Sequence, residues 1–350
     1  MTNTLKSSLV HIGDWLSGKI SNEGSNDDAL LRTAEAENRW FTPHFSKTAM
    51  LACGNMLQEE KLDEWMSRYA AINQKRSPKR VGLVLAGNLP MVGWHDVLCV
   101  LISGHHAVIK YSTNDRVLIS TTLNEWVKHH PQMAAQIEVT QGKVEGVDAV
   151  IATGSSNTNR YFDYYFRRIP RILRSQRTSI AVLSGNEPPD ELRALGHDVF
   201  TYYGMGCRSV TQLFVPANFD LNRLFSVWTE WAYLSENNKY ANNYDYHKAI
   251  WLLNQEVLIE NGFLLMKEDT GFFSPVGTLY YAFYDELEAV QDLLLSHSDQ
   301  IQCIVTGNST DWSEGRIPQV AFGQSQNPNP WDFADGVDTM SFLLELSSPE

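Results

Sequence analysis

Two series of short apolar runs, each alternating with helical stretches, predict an α/β protein built on parallel sheets. The first series reads strand 81–86, helix 90–103, strand 107–111, helix 115–129, strands 137–140 and 149–153, and helix 157–166. Apolar runs that are bounded and near-continuous belong to strands covered on both faces, and their alternation with helices implies βαβ units with right-handed crossovers. A second series follows with strand 180–183, helix 189–200, strand 212–215, helices 221–234 and 244–261, strands 263–266 and 276–282, helix 286–296 and strand 302–306. Before both series, residues 1–77 carry apolar residues at helical spacing over 40–58 and 61–71 with no strand-like run, which predicts an N-terminal helical layer. A short basic break at 75–79, with Ser77 and Pro78, separates that layer from the first strand. Pro318, Pro328 and Pro330, set among Gln and Asn, predict an ordered loop or arm ending near Leu344. A chain of 350 residues exceeds what one core usually supports, so the expected division is 1–175, 176–320 and an arm 321–350.

Composition removes several classes of function. With 41 acidic against 28 basic side chains the net charge is −13, whereas a general nucleic-acid binder needs a basic field. A hydrophobic content of 43% with 20% charged residues is that of an ordinary folded protein. The longest apolar stretches break well short of the roughly 18 residues of a membrane span. Residues 1–9 lack a signal-peptide core, so a cytoplasmic location is the expectation. The four cysteines lie far apart, with neither metal nor dithiol spacing. Cys53, Cys99 and Cys303 sit among apolar neighbours, where a thiol behaves as a small hydrophobe.

Cys207 differs. It follows two glycines in Tyr203-Gly204-Met205-Gly206-Cys207-Arg208-Ser209, at a break between a helix and a strand and beside a cation. Glycines allow close backbone approach, a helix start or a cation lowers a thiol pKa, and backbone N–H groups can receive an oxyanion. A core cysteine after a Gly-rich turn fits the local motif as well. Asn88 lies in Ala86-Gly87-Asn88-Leu89-Pro90 at the end of a strand, where open α/β sheets collect ligands; it reads as an oxyanion amide or equally as a helix N-cap. Lys110 and Ser112 end the next strand, roughly 20 residues on, the distance at which nucleotide-binding folds place a ribose contact; a surface lysine at a strand end is the alternative. Gly154 and Ser155 run from a strand into a helix whose N-terminus favours anions, although simple capping explains them too. Arg160, Arg167, Arg168, Arg171, Arg174 and Arg177 form a basic group that suits phosphates or, for most of the six, a solvated helix face.

Taken together in order and spacing, the segments AGNLPMVGWHDVLCVLISGHHAVIKYS, GSSNTNRYFDYYF, YYGMGCRSVTQLFVP, NNKYANNYDYHKAIWLLNQ and WDFADGVDTMSFLL resemble the long-chain acyl-CoA reductases related to the fatty-acid reductase of bacterial bioluminescence, a branch of the aldehyde dehydrogenase superfamily. The resemblance implies an aldehyde-dehydrogenase-like α/β fold, with a Rossmann-like cofactor domain within 1–175 and a second α/β catalytic domain within 176–320. It implies Cys207 as acyl-accepting nucleophile and Asn88 as an oxyanion amide acting with the Cys207 N–H. Lys110 and Ser112 would meet the adenosine half of the cofactor, and Gly154 and Ser155 its pyrophosphate. The implied cofactor is NADPH, with NADH as the alternative, the implied substrate is a fatty acyl-CoA, and a homo-oligomer with an acyl-transferring partner is the expected assembly. No metal ligand is implied.

Two departures bear on the chemistry. Hydrolytic aldehyde dehydrogenases carry a glutamate upstream of the cysteine that activates water, and the matching stretch here, Ile172-Leu173-Arg174-Ser175, has no carboxylate. A reductase is suited by that absence, because its acyl-enzyme must wait for hydride rather than water. The superfamily's second glutamate falls at Gly271, so Glu268 receives no catalytic role. The expected reaction is NADPH-dependent reduction of a fatty acyl-CoA to the aldehyde. An acyl phosphate, a carrier-bound acyl group, or a non-catalytic binding protein on the same fold are the alternatives.

Overall fold

The computed structural model describes residues 3–18, 27–74, 76–154, 156–307, 312 and 315–346. The chain forms two compact units, Met1–Gln176 with Pro328–Glu350, and Arg177–Asn327. The stretch 321–350 is therefore divided between them at residue 328.

Four helices precede the sheet of the first unit: α1 (Asn3–Leu16), α2 (Asp27–Glu37), α3 (Pro43–Met56) and α4 (Glu59–Ser67). Pro43 occupies the first turn of α3, and the Thr42 side chain accepts the Phe45 N–H as its cap. Leu9, Ile12, Phe45, Leu62 and Trp65 from these helices are all buried. The sheet itself holds β1 (Arg80–Val84), β2 (His106–Lys110), β3 (Ile137–Val139), β4 (Ala149–Thr153) and β5 (Arg171–Arg174), in the order β3-β2-β1-β4-β5. Every pair is parallel. Helices α5 (Trp94–Ile102), α6 (Val117–His129) and α7 (Ser156–Phe166) make the connections. Trp126 of α6 donates to Ser8 of α1 at 3.1 Å, which ties the helical layer to the sheet's own helices.

Three sequence expectations change here. Helix 90–103 begins at Trp94, because Met91 sits at φ 61, a left-handed conformation incompatible with a helical turn. Arg171 and Arg174 belong to strand β5 rather than to a helix face. Arg174 is buried and donates to both oxygens of Asp96 on α5, at 3.1 and 2.5 Å, and to Thr339 Oγ1 and the Ala334 carbonyl at 2.9 Å. The tail is not a plain arm, since Thr339–Glu345 is helical and capped by Asp338. This C-terminal helix is anchored to the first unit, with Tyr69 donating to Asp338 and His105 Nε2 donating to the Leu343 carbonyl at 2.8 Å.

In the second unit a seven-stranded sheet runs β12-β11-β6-β7-β10-β9-β8. Its strands are β6 (Thr178–Val182), β7 (Val210–Pro216), β8 (Leu258–Glu260), β9 (Leu265–Glu268), β10 (Thr278–Tyr284), β11 (Ile301–Thr306) and β12 (Gln319–Val320). Only the β8–β9 pair is antiparallel. Helices α8 (Pro189–Phe200), α9 (Asn222–Trp228), α10 (Asn238–Leu253) and α11 (Leu287–Ser296) flank it. Ile180, Val182, Phe214, Leu294, Ile304 and Trp312 fill one side of the sheet. The expected helix 221–234 is interrupted, its second half being a 3₁₀ segment, Thr229–Glu236. The expected helix 244–261 is displaced: α10 starts at the Asn237 cap, and Gln255 at φ 60 turns the chain into β8. Among the described residues no helix is long and apolar enough to cross a membrane.

Arg174 carries a buried charge paired with Asp96. Replacing Arg174 by Ala should lower the unfolding free energy by about 3–5 kcal/mol, the range for stranding one charge of a buried pair, as read from urea unfolding.

Candidate active site

Parallel pairing sets the carboxyl ends of β2, β1 and β4 side by side, with Val84 opposite both Lys110 and Ala152. The strand order reverses between β1 and β4, the switch point at which open α/β sheets bind ligands. Loop 85–93 leaves β1 at this edge. Gly87 lets it close on Ser112, since a Cβ on Gly87 would stand 2.3 Å from Ser112 Oγ and 3.1 Å from the Asp115 nitrogen. Asn88 follows, exposed at the edge. Its reading as the cap of α5 does not hold, because the cap position belongs to Gly93. Lys110 and Ser112 are half-buried at the end of β2, and Ser112 Oγ accepts the Asn114 N–H at 3.2 Å. Gly154 closes β4 and packs on the first turn of α7, where an added Cβ would come 2.9 Å from Thr158 Cβ. Ser155 lies outside the described residues. Asn88, Lys110, Ser112 and Gly154 thus share one edge, which offers an amide, an ammonium, a hydroxyl and a helix N-terminus.

Asp115, read from sequence only as the start of a helix, supports this edge. Its Oδ2 accepts the N–H of left-handed Met91 at 2.7 Å and so holds the loop that carries Asn88. Burial pushes its carboxyl up to about 7, against the opposing pull of that N–H. A signal was present in the sequence, because an Asp just before a helical run is normally a solvated cap, whereas here it is turned inward. Of the six arginines, Arg160, Arg167 and Arg168 are exposed, Arg171 pairs with Asp163 at 2.6 Å, and Arg177 donates to the Ser298 and Ile301 carbonyls. Arg174 is committed to Asp96.

Cys207 belongs to the second unit and lies on the turn between α8 and β7. It precedes a strand rather than opening a helix of its own, and Arg208 is the cation next to it in sequence. The approach to the turn is unusual, with Tyr202 at φ 55, Tyr203 at φ 60 and Gly204 at φ 73 in succession. Left-handed non-glycine residues persist only where surroundings over-determine them. Here the Tyr203 ring is buried against Tyr240, and its hydroxyl accepts from the Asn237 side chain at 3.0 Å. Asn237 also caps α10, so one amide fixes both elements.

The peptides flanking Cys207 are each held. Ser209 N–H donates to the Gly206 carbonyl at 3.0 Å, and the Gly206 N–H donates to Ser209 Oγ at 3.1 Å. Ser179 Oγ donates to the Cys207 carbonyl at 3.0 Å and contacts Cys303 Sγ at 3.1 Å. In a trans peptide the N–H points opposite to the C=O, so the Cys207 N–H is directed away from the turn interior. Sequence reasoning missed Ser179 and Ser209, whose signal was a polar side chain at an otherwise apolar strand end.

Cys207 is half-buried, as is Cys53, whereas Cys99 and Cys303 are buried. Burial pushes the other thiols up, Cys53 and Cys303 to about 12 and 11 and Cys99 well above its usual range. Those three are held as neutral thiols. A narrow crevice beside the turn is lined by Val199, Phe200 and Leu264 together with the polar Thr211, Ser274 and Thr278. The roomiest cavity described in this unit lies at the other end of the sheet, beside Asp190, Glu191 and Thr306, and its carboxylates suit neither an acyl chain nor a phosphate.

The sequence profile of the acyl-CoA reductase (LuxC) family matches residues 45–224, which take in both the Asn88 edge and the Cys207 turn. This chain belongs to the LuxC family. As a LuxC-family protein it is an oxidoreductase of aldehydes or acyl groups. No curated protein matches it by sequence. Its fold is that of aldehyde dehydrogenases. It superimposes on a cysteine-to-alanine variant of the Pseudomonas syringae indole-3-acetaldehyde dehydrogenase AldA, in complex with NAD+ and IAA, with a TM-score of 0.65 and 11% identity over 92% of this chain and 76% of that one. A similar variant of P. syringae aldehyde dehydrogenase C, in complex with NAD+ and octanal, gives 0.62 and 11% over 92% and 77%. Aldehyde dehydrogenase 21 of Physcomitrella patens, in complex with the product succinate, gives 0.62 and 10% over 98% and 84%. At such identities the likeness concerns the fold, which this LuxC-family chain builds from the two parallel sheets described above.

Asp115 makes the stability of this LuxC-family protein depend on pH. Its folded pKa, about 7, lies above its unfolded value, so the folded state binds the proton more tightly and is favoured as pH falls. Thermal unfolding of the wild type should therefore occur at progressively lower temperature as pH rises from about 5 to 8, a loss on the order of a few kcal/mol. Asp115→Asn, which keeps the acceptor for Met91 but cannot ionise, should show a flatter profile across the same range.

Proposed function

We propose that this chain reduces a fatty acyl-CoA to the fatty aldehyde with NADPH, through an acyl group carried on Cys207. The observation that carries the reading is the Cys207 turn: a half-buried thiol on a backbone whose flanking peptides are held by buried hydroxyls. Membership of the acyl-CoA reductase family supports the substrate class. That two related folds have been trapped with NAD+ after replacement of a cysteine supports both a nicotinamide cofactor and a cysteine nucleophile.

In this reading the Cys207 thiolate attacks the thioester carbon, the Cys207 N–H and the Asn88 amide receive the oxyanion, and coenzyme A departs as its thiolate. One thioester replaces another, so the step is close to balanced and the work of the site is orientation and charge stabilisation. The edge formed by Lys110, Ser112, Gly154 and the N-terminus of α7 fits a dinucleotide, because its donors match ribose hydroxyls and phosphates; Lys110 favours the 2′-phosphate of NADPH. When bound, the nicotinamide supplies hydride to the acyl carbon. Cys207 then leaves as thiolate from the thiohemiacetal, releasing the aldehyde. The stretch that the resemblance matches to the base of hydrolytic relatives, Ile172-Leu173-Arg174-Ser175, itself carries no carboxylate, which suits an acyl-enzyme that waits for hydride.

Intact-protein mass spectrometry after mixing with long-chain acyl-CoAs, without nicotinamide, tests the reading. The wild type should gain one acyl mass, Cys207→Ala should gain none, and NADPH should discharge the adduct. Absence of an adduct at any chain length would transfer the assignment to an acyl phosphate, a carrier-bound acyl group or a binding protein. Asn88→Ala should acylate about 100- to 1000-fold more slowly, the usual cost of one oxyanion donor, with an unchanged fold by circular dichroism.

A further inference from the structure

Asp198 occupies a place that disfavours a carboxylate. It lies in the last turn of α8, where unpaired helix carbonyls leave partial negative charge, and it is fully buried. Burial holds its carboxyl up at about 6, although backbone and hydroxyl donors pull the other way. A buried group of this kind costs stability unless the bonds it makes are required. Both of its oxygens are engaged by one segment, which crosses the end of α8: Gly323 N–H donates to Oδ2 at 2.5 Å and Ser325 N–H to Oδ1 at 2.9 Å. The segment lies so close to α8 that a Cβ on Gly323 would stand 3.2 Å from Ala194 Cβ.

One residue further, the same segment reaches the Cys207 turn. Gln326 Nε2 donates to Ser209 Oγ at 3.3 Å, and that oxygen also accepts the Gly206 N–H. Ser209 is fully buried and cannot trade these partners for water. The end of α8 and the turn are therefore joined by two routes, through the left-handed residues Tyr202 to Gly204 and through the strap 323–326.

We propose that Asp198 is a positioning residue: by anchoring the strap 323–326 it sets Gln326 and Ser209, whose Oγ holds the Gly206 N–H and whose own N–H holds the Gly206 carbonyl, and so it sets the turn that carries Cys207 to the acyl group. The inference rests on Cys207 being the acyl acceptor. Asp198 and Gln326 are assigned no contact with substrate, so their loss acts on the rate of acylation and not on the concentration of acyl-CoA that half-saturates it.

Asp198→Asn and Gln326→Ala are compared with the wild type, all as the full chain, by the rate of mass gain with palmitoyl-CoA and by the rate of Cys207 alkylation with iodoacetamide. Both variants should acylate Cys207 about tenfold more slowly at saturation, the equivalent of losing one hydrogen bond's orientation, with unchanged half-saturation. Should Asp198→Asn fail to fold, Gln326→Ala decides alone. Wild-type acylation in Gln326→Ala, or a loss expressed only as weaker half-saturation, overturns the positioning role and leaves the Cys207 reading intact. A wild-type protein that gains no acyl mass on Cys207 overturns the reading instead. The alkylation rates then judge the strap independently, and equal rates in all three proteins overturn it.

Discussion

Parallel strand pairing runs every chain of a sheet in one direction, and from that constraint the arrangement of the first unit follows. The backbone donors and acceptors of β1, β2 and β4 are spent on one another, so the next polar groups available are those of the loops that leave their carboxyl ends. Because the order reverses between β1 and β4, two of those loops diverge and leave an edge open between them. Asn88, Lys110 with Ser112, and Gly154 come from three separate stretches of sequence and share that edge for this reason.

In the second unit the same type of sheet is used differently. Cys207 lies ahead of β7, at the amino end of its strand, and its turn is held by packing and hydrogen bonds. Two left-handed tyrosines and a glycine turn the chain out of α8, and the buried Tyr203 ring and its bond to Asn237 stabilise that otherwise unfavourable backbone. Buried hydroxyls then hold the peptides on either side of the thiol. Strain at the turn is offset by the surrounding aromatic core, and the result is a held backbone on either side of a half-buried sulfur.

Buried carboxylates recur as supports in both units. Asp96 closes the ion pair that brings β5, α5 and the C-terminal helix together, Asp115 holds the loop of Asn88, and Asp198 holds the strap near Cys207. Each accepts donors from backbone or side chains remote in sequence. In a low-dielectric interior such groups are costly when unpaired and directional when paired, which makes them effective at fixing loops that hydrophobic contact alone would leave loose.

The alternation of strand and helix, the two sheets, and the residues assembled at the first edge were legible in the sequence, because hydrophobic periodicity and Gly-rich strand ends are local properties. Helix α8 was legible to the residue, since Pro189 starts it and an apolar face runs to Phe200. Strand β5 was hidden by its arginines, one of which is buried only because Asp96 lies across from it in space. The start of α10 was hidden too, since its buried aromatics Tyr240, Tyr244 and Trp251 form no clean stripe and its cap, Asn237, is equally a tyrosine's partner. Cys207 could be singled out as a residue, but the direction of its N–H, the left-handed tyrosines and the strap tied to Asp198 are tertiary facts. They depend on hydrogen bonds between separate elements, those of the strap more than a hundred residues apart, and pairings of that kind leave no periodic trace in a single sequence.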